Sequence, residues 1–310
     1  MFQATQLVFY NCLSPVHMGA GSAVGAIDNP IQREVHTQYP VIAGSGLKGA
    51  VRHHFNRIWQ GEEKLIARLF GPETNASDHA GAIAFTDAQL VAFPVRSLKN
   101  TFVYATSPTA LARLKRLAGK AATWAVPEVA EGQVLVVAGT LALSNERLVL
   151  EAFDFPAKED AGVTQIAEWL SRHGMPAGEE HDYFRRKLAA DLVVLGDTEF
   201  SHFVRHATVV EAHVAIDNDT GTAEVGKLFY TENLPSESLL AGLVMASVER
   251  QSKNDRRESL LDAEAVLAAV LHGTNAPSGL VGGLLQVGGD ATTGRGLIVV
   301  HAAARALEVA

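Results

Sequence analysis

Residues 41–59 read VIAGSGLKGAVRHHFNRIW, and the period of that stretch decides the fold. Ser45 stands where an N-cap belongs, and Leu47, Ala50, Val51, Phe55, Ile58 and Trp59 recur at helical spacing, which predicts an amphipathic helix starting at Ser45. Upstream, Thr5 to Leu13 is rich in β-branched and aromatic residues and stops at Ser14-Pro15, as a strand closed by a breaker does. Between strand and helix, His17 to Gly46 is glycine-rich, broken by Pro30 and Pro40, and too irregular for a helix. An ordered loop of that length is usually functional.

Downstream, the pattern predicts a short helix from Glu62 to Phe70 stopped by Gly71-Pro72, strands from Ala82 to Leu90 and Thr101 to Ala105, and a helix opened by Ser107-Pro108 and closed at Gly119. Further strands are expected at Gln133 to Ala138 and Thr140 to Phe153. The order β, α, β, β, α predicts the α+β class: a ferredoxin-like antiparallel sheet with helices on one face, the architecture of RRM-like RNA binders. In the second half, helices are expected over Ala161 to His173 and Asp197 to His206. Paired strands Ala207 to Ile216 and Thr222 to Tyr230 should meet across the polar loop Asp217 to Gly221. Ser238 to Val248, a polar run Glu249 to Glu258, a helix Leu260 to His272 and a strand pair flanking Gly288 to Gly296 complete the chain.

With 310 residues, 47% hydrophobic and 19% charged, the chain can bury a substantial core. No apolar run approaches the ~20 residues of a membrane span, so a cytoplasmic, unprocessed protein without a membrane partner is expected. The lone cysteine, Cys12, excludes an internal disulfide and a Cys-rich zinc site. A net charge of −8 argues against general nucleic-acid coating, since phosphate neutralisation needs gathered Lys and Arg. Between Asp87 and Glu128, however, no acidic residue occurs while Arg96, Lys99, Arg113, Lys115, Arg116 and Lys120 do, so a local basic surface or a solvated helix face are both open.

Gly44-Ser45-Gly46-Leu47-Lys48-Gly49 puts glycines and a lysine at a helix N-terminus, where free N–H groups and the helix dipole favour an anion such as an RNA phosphate. Lys48 and Arg52, four apart, share a helix face; a Ser-capped helix with a solvated lysine has the same signature. Gly289 to Gly294 has the spacing of a phosphate-binding loop of nucleotide hydrolases, but Arg295 stands in place of Lys, Gly296 in place of Ser or Thr, and strand follows instead of helix. That loop, with Thr292, Thr293 and Arg295, suits a sugar-phosphate backbone or a plain hairpin turn. Asp217 to Glu224 lacks calcium-loop spacing, and His202 and His206 lack a third metal ligand. His17, Asp28, Arg33, Glu34 and His36 are catalytic candidates in the long loop: Asp28 could hold a divalent metal or act as base, and Arg33 could offset charge. A loop Asp before Asn29-Pro30 is also a common turn former.

Taken in order, these motifs resemble the RAMP superfamily of CRISPR proteins, and within it the backbone subunit, subunit four, of the type III-B (Cmr) effector complex. The resemblance rests on Leu13-Ser14-Pro15-Val16-His17-Met18-Gly19, Ile27-Asp28-Asn29-Pro30-Ile31-Gln32-Arg33-Glu34, Tyr39-Pro40-Val41-Ile42, Gly44 to Arg52, Phe85-Thr86-Asp87-Ala88, Phe93 to Ser97, Leu228 to Pro235 and Gln286 to Gly296, spanning nearly the whole chain. It implies a single domain of about 1–310: an RRM-like palm from 1–155 and 235–310 with finger insertions, and a thumb β-hairpin within 180–234, bounded more narrowly at Gly196 to Tyr230.

The resemblance also implies head-to-tail copies along a guide RNA, other type III-B subunits as partners, and cleavage of guide-paired target RNA at regular intervals. The cut would be metal-dependent (Mg or Mn) and leave a cyclic phosphate. By motif position Asp28 is the catalytic and metal-holding residue, supported by His17 and Arg33. Ser45, Gly46, Lys48, Arg52, Gly289, Thr292, Thr293 and Arg295 fall on RNA-binding positions, Gly46 replacing the Ser expected there. Two alternatives stay open: a scaffold that binds guide RNA without cutting, and a related ribonuclease that processes guide precursors.

Overall fold

The computed structural model describes residues 2–22, 25–73, 79–224, 226–250 and 259–303. In chain order its strands are β1 (Ala4–Cys12), β2 (Val41–Ile42), β3 (Ile83–Phe85), β4 (Ala88–Arg96), β5 (Phe102–Thr106), β6 (Val134–Val136), β7 (Arg147–Leu150), β8 (Phe153–Glu159), β9 (Leu192–Val194), β10 (Val209–His213), β11 (Phe229–Asn233), β12 (Leu239–Ala246), β13 (Leu284–Gln286) and β14 (Leu297–Ala302). The helices are α1 (Gly44–Ile58), α2 (Glu63–Phe70), α3 (Pro108–Ala118), α4 (Ala161–His173), α5 (Asp182–Asp191), α6 (Asp197–His206) and α7 (Ala263–His272).

One large sheet runs β13-β14-β1-β12-β4-β5-β9-β6-β8-β7, with β2 on β4 and β3 on β12, while β10 and β11 form a separate hairpin. Among the strands of the described residues, only the β5–β9 and β6–β8 pairs are parallel. The α+β expectation therefore holds, with a mostly antiparallel sheet.

β1 is an interior strand, paired with β12 and β14, and its apolar run has a physical cause. Val8, Tyr10 and Cys12 enter one core cluster with Leu47, Val51 and Phe55 of α1 and Val266 and Val270 of α7. Leu7 and Phe9 enter a second with Leu111 of α3 and Ile166 and Leu170 of α4. A strand buried on both faces has no polar side to alternate with. Helices on one face only, as the sequence predicted, is thus corrected: the sheet is covered on both.

Local expectations fare unevenly. Ser107 caps α3 by accepting from the Ala110 N–H, and α4 and α6 have the predicted bounds. Ser45 is not the N-cap of α1; Ala43 holds that position without a capping side chain. The Gly44 N–H instead donates to Asp87 Oδ1 at 2.7 Å, a carboxylate from the β3–β4 turn. That turn, at Thr86-Asp87, also divides the single strand expected over Ala82 to Leu90. Of the strand expected from Thr140 to Phe153, only Arg147–Leu150 forms β7, and β8 begins at Phe153 and continues to Glu159. The hairpin strands pair from Val209↔Asn233 to His213↔Phe229; the first is shorter than predicted, and the second lies C-terminal to the expected Thr222 to Tyr230 and overlaps it only at Phe229 and Tyr230, with an isolated bridge Ile216↔Ala223 before the expected turn. Asp217 Oδ1 closes that turn by accepting the Asp219 and Thr220 N–H groups. Of the polar run Glu249 to Glu258, residues 251–258 lie outside the described residues.

Candidate functional site

The long loop between β1 and α1 is ordered because it is laced to the β11 strand and its continuation. Backbone bridges join Val16 to Leu234, Asn29 to Thr231, Gly19 to Ile31 and Arg33 to Pro40. The loop thereby lies along the root of the hairpin.

Asp28 sits at that junction. Its Oδ2 accepts the Tyr230 N–H at 2.7 Å, and the next residue, Asn29, exchanges backbone hydrogen bonds with Tyr230 and Glu232, both at 3.0 Å. Among the described residues Oδ1 has no partner, so one carboxylate oxygen is fixed and the other is free to act.

Glu232, 3% exposed, organises the surroundings. Its Oε1 accepts from Arg33 Nη2 at 2.5 Å and Thr208 Oγ1 at 2.8 Å, and its Oε2 from the Ile31 N–H at 3.1 Å. Its backbone carbonyl takes a 2.7 Å bond from His17 Nδ1. A carbonyl oxygen only accepts, so Nδ1 carries a proton, and in the neutral tautomer the lone pair lies on Nε2. Glycines leave room for that ring: a Cβ at Gly19 would lie 2.9 Å from His17 Nε2, and one at Gly288, where φ is +81°, would lie 2.2 Å from the His17 carbonyl oxygen. The Gly289 N–H donates to the same carbonyl at 2.9 Å, which brings the glycine-rich loop against the candidate base.

Arg33 takes a different place from the one predicted. Its Nη1 donates to the carbonyls of Gln38 and Val204, both at 2.8 Å, and its Nη2 to Glu232, so the guanidinium is bound within the fold and not presented beside Asp28 as a free cation. Glu34 and His36 are likewise engaged, by Arg113 Nη1 at 2.7 Å and Nη2 at 2.8 Å. Glu232 and Tyr230 fall in the Leu228 to Pro235 motif but were not predicted as site residues. An acid in a β-rich run, Phe229 to Asn233, was the available signal, since burial of an acid in a strand requires partners.

The predicted RNA-binding residues form two groups. Ser45 and Gly46 are exposed in the first turn of α1, and half-buried Lys48 follows, its amine held below the usual lysine range by burial and by Arg52. Arg52 lies 3.4 Å from Glu73, and its Nε is buried without a partner among the described residues. In the second group, Thr292 and Thr293 occupy an exposed 3-10 turn, and Arg295 is paired through Nε and Nη2 with Glu211 of β10. His202 and His206 lie with ring centroids 4.7 Å apart on α6. Among the described residues no three His, Cys, Asp or Glu side chains are grouped to hold a metal, and no helix is long and apolar enough to cross a membrane.

A description of the RAMP superfamily matches residues 9–299. The "CRISPR system Cmr endoribonuclease Cmr4" of Pyrococcus furiosus is 33% identical over 95% of this chain and 94% of its own length. The chain belongs to the RAMP superfamily. Its fold is similar to that of oligomeric Cmr4 from Pyrococcus furiosus, with a TM-score of 0.72, 27% identity, and 98% of this chain and 99% of that one covered. A chain of the type III-B Cmr-beta complex bound to cognate target RNA shares the fold at a TM-score of 0.72 and 20% identity, over 97% and 98% of the two chains. Of the motifs that pointed to the family, Leu13 to Gly19, Ile27 to Glu34, Leu228 to Pro235 and Gln286 to Gly296 meet at the Asp28 site.

Proposed function

We propose that this chain is a cytoplasmic, guide-RNA-binding backbone subunit of a type III-B CRISPR effector complex that cuts guide-paired target RNA through Asp28. The carrying observation is the docking of Asp28 onto the Tyr230 N–H at the hairpin root. In this reading β1, β12, β14 and β4 with α1 and α7 form an RRM-like palm, residues 1–155 and 235–310 with insertions. The β10–β11 hairpin is the thumb, within 180–234. Exposed Val214, Ile216, Leu228 and Phe229 on the hairpin suit insertion between stacked bases. Lys48, Arg52 and the 288–296 loop would follow the guide backbone, with base pairing supplying sequence specificity. Further copies of the chain and other subunits of the complex are its partners.

Cleavage in this reading is attack of a 2′-oxygen on the adjacent phosphorus, breaking the bond to the 5′-oxygen and leaving a 2′,3′-cyclic phosphate and a 5′-hydroxyl. A base must take the 2′-proton and an acid must return one to the 5′-oxygen. Among the described residues, Asp28 Oδ1 and His17 Nε2 are basic atoms at the junction without a partner. A divalent ion fits this donor set only in the manner of magnesium, with one carboxylate, Asp28, and the remaining ligands from RNA phosphate and water. Bound there it would offset charge on the phosphate. Glu232 and Arg33 position the loop.

The test is cleavage of labelled target RNA by guide-loaded complex with magnesium or manganese. Asp28→Asn should abolish regularly spaced cuts while target binding persists, and EDTA should do the same to the parent. Unchanged cutting by Asp28→Asn would overturn the reading; cutting that depended on histidine alone would favour a guide-processing enzyme.

A further inference from the structure

Beyond the Asp28 junction, on the outer side of the same loop, lies a groove of about 490 Å³ between α6, residues 36–39 and the start of α3. That volume falls within the range of small-ligand pockets. Its character is set by imidazoles, hydroxyls and the exposed Arg205 guanidinium. His202 and His206 are exposed on α6, with Arg205 exposed between them. The His202 ring meets Phe153 edge to face, centroids 4.9 Å apart, and Phe153 is 43% exposed, large for a phenylalanine. Three rings thus follow one another at the surface: Phe153, His202 and His206.

Repulsion from acids is limited. Asp197 accepts from the Thr109 N–H at 3.1 Å and the Thr109 hydroxyl at 2.8 Å, at the N-terminal turn of α3, and Glu34 is paired with Arg113. Slight burial, with His202, Arg205 and Arg33 nearby, keeps His206 below the usual histidine range, so its ring is neutral at pH 7. The groove therefore combines ring faces with a cation and hydroxyl donors, and little aliphatic surface. Single-stranded nucleic acid is bound by stacking on rings beside cations.

We propose that this groove, with the Phe153 ring that adjoins it at His202, is a subsite for a single-stranded segment of RNA, with nucleobases stacked on Phe153, His202 and His206 and a backbone phosphate held by Arg205. The proposal rests on the reading of the chain as an RNA-binding subunit, and it adds a contact outside the guide path of Lys48 and Arg295.

The test uses the full chain, a six-nucleotide oligouridylate carrying 5-iodouridine, and a separately labelled guide RNA. Photocrosslinks should map to peptides containing Phe153 or His202. A Phe153→Ala, Arg205→Ala double variant should bind the oligonucleotide about tenfold more weakly while associating with guide as the parent does. Both side chains are exposed, and circular dichroism and thermal melting confirm that the variant folds. Crosslinks confined elsewhere, or unchanged oligonucleotide affinity in the variant, would overturn the subsite; intact guide association in the same sample would leave the broader reading standing. Loss of guide association by the parent would sink both. A variant that changes oligomeric state with unchanged RNA affinity would make the groove a contact between copies instead.

Discussion

The carboxylate of Asp28 and the backbone N–H of Tyr230, 202 residues apart, are joined by a 2.7 Å hydrogen bond. The bond separates two substitutions that a catalytic role alone would not. Asparagine retains an oxygen to accept the Tyr230 N–H, whereas alanine leaves that donor without its partner, at about 1 kcal/mol. Both should lower cleavage at least about a hundredfold, but only Asp28→Ala should also lower the thermal midpoint, read by calorimetry on the isolated chain.

Arg33 and Glu232 form the most enclosed ion pair at the junction, 14% and 4% exposed. Removing one member leaves the other charged and buried, so Arg33→Ala should destabilise the chain by about 3 kcal/mol. Denaturant unfolding measures this, and hydrogen exchange should show residues 28–33 and 229–233 losing protection together.

The Arg295 guanidinium is paired with Glu211 of the hairpin, both side chains about one-quarter exposed. RNA must compete with that carboxylate. Glu211→Gln should tighten guide binding and steepen its salt dependence, while Arg295→Ala should make the dependence shallower by about one counterion. A salt titration of guide affinity reports both.

Gly44 approaches the β3–β4 turn so closely that a Cβ would lie 2.3 Å from the Phe85 carbonyl oxygen. Gly44→Ala should destabilise the fold by about 1–3 kcal/mol, and it should loosen the N-terminus of α1, weakening guide binding beyond what Lys48→Ala produces.

Glu237 accepts a 3.0 Å bond from the Tyr104 hydroxyl, yet burial raises its carboxyl above the ordinary range. A carboxyl raised in the folded state contributes stability below its unfolded value of 4.5, and that contribution is lost as pH rises through the folded value. Glu237→Gln should therefore be more stable than the parent at pH 7, and the gap should close toward pH 4, as equilibrium unfolding at several pH values would reveal.

Much of the frame was legible because caps and periods are local. Ser107-Pro108 announces α3, and the apolar spacing of α4 and α6 places both. Ser45 misled because the donor at the start of α1 is satisfied by Asp87 across the fold, a tertiary contact that leaves no nearby trace. The pair α5–β9 was missed because Leu192–Val194 follows the helix without a break and, buried in a parallel pairing with β5, shows no alternation. At the site, Asp28 and His17 could be named from their loop. Their junction with Tyr230 and Glu232 depends on β11 returning from the far end of the chain, a matter of topology and not of motif.

Glu232 contributes its carboxylate, its amide and its carbonyl to three different stretches: Arg33 and Ile31, Asn29, and His17. Loop and hairpin root are consequently inherited as one part. A chimera that exchanged the hairpin of one family member for another's would misalign its own Asp28 unless residues 17–33 travelled with 229–234, so this junction, and not the hairpin tip, marks the natural boundary for grafting.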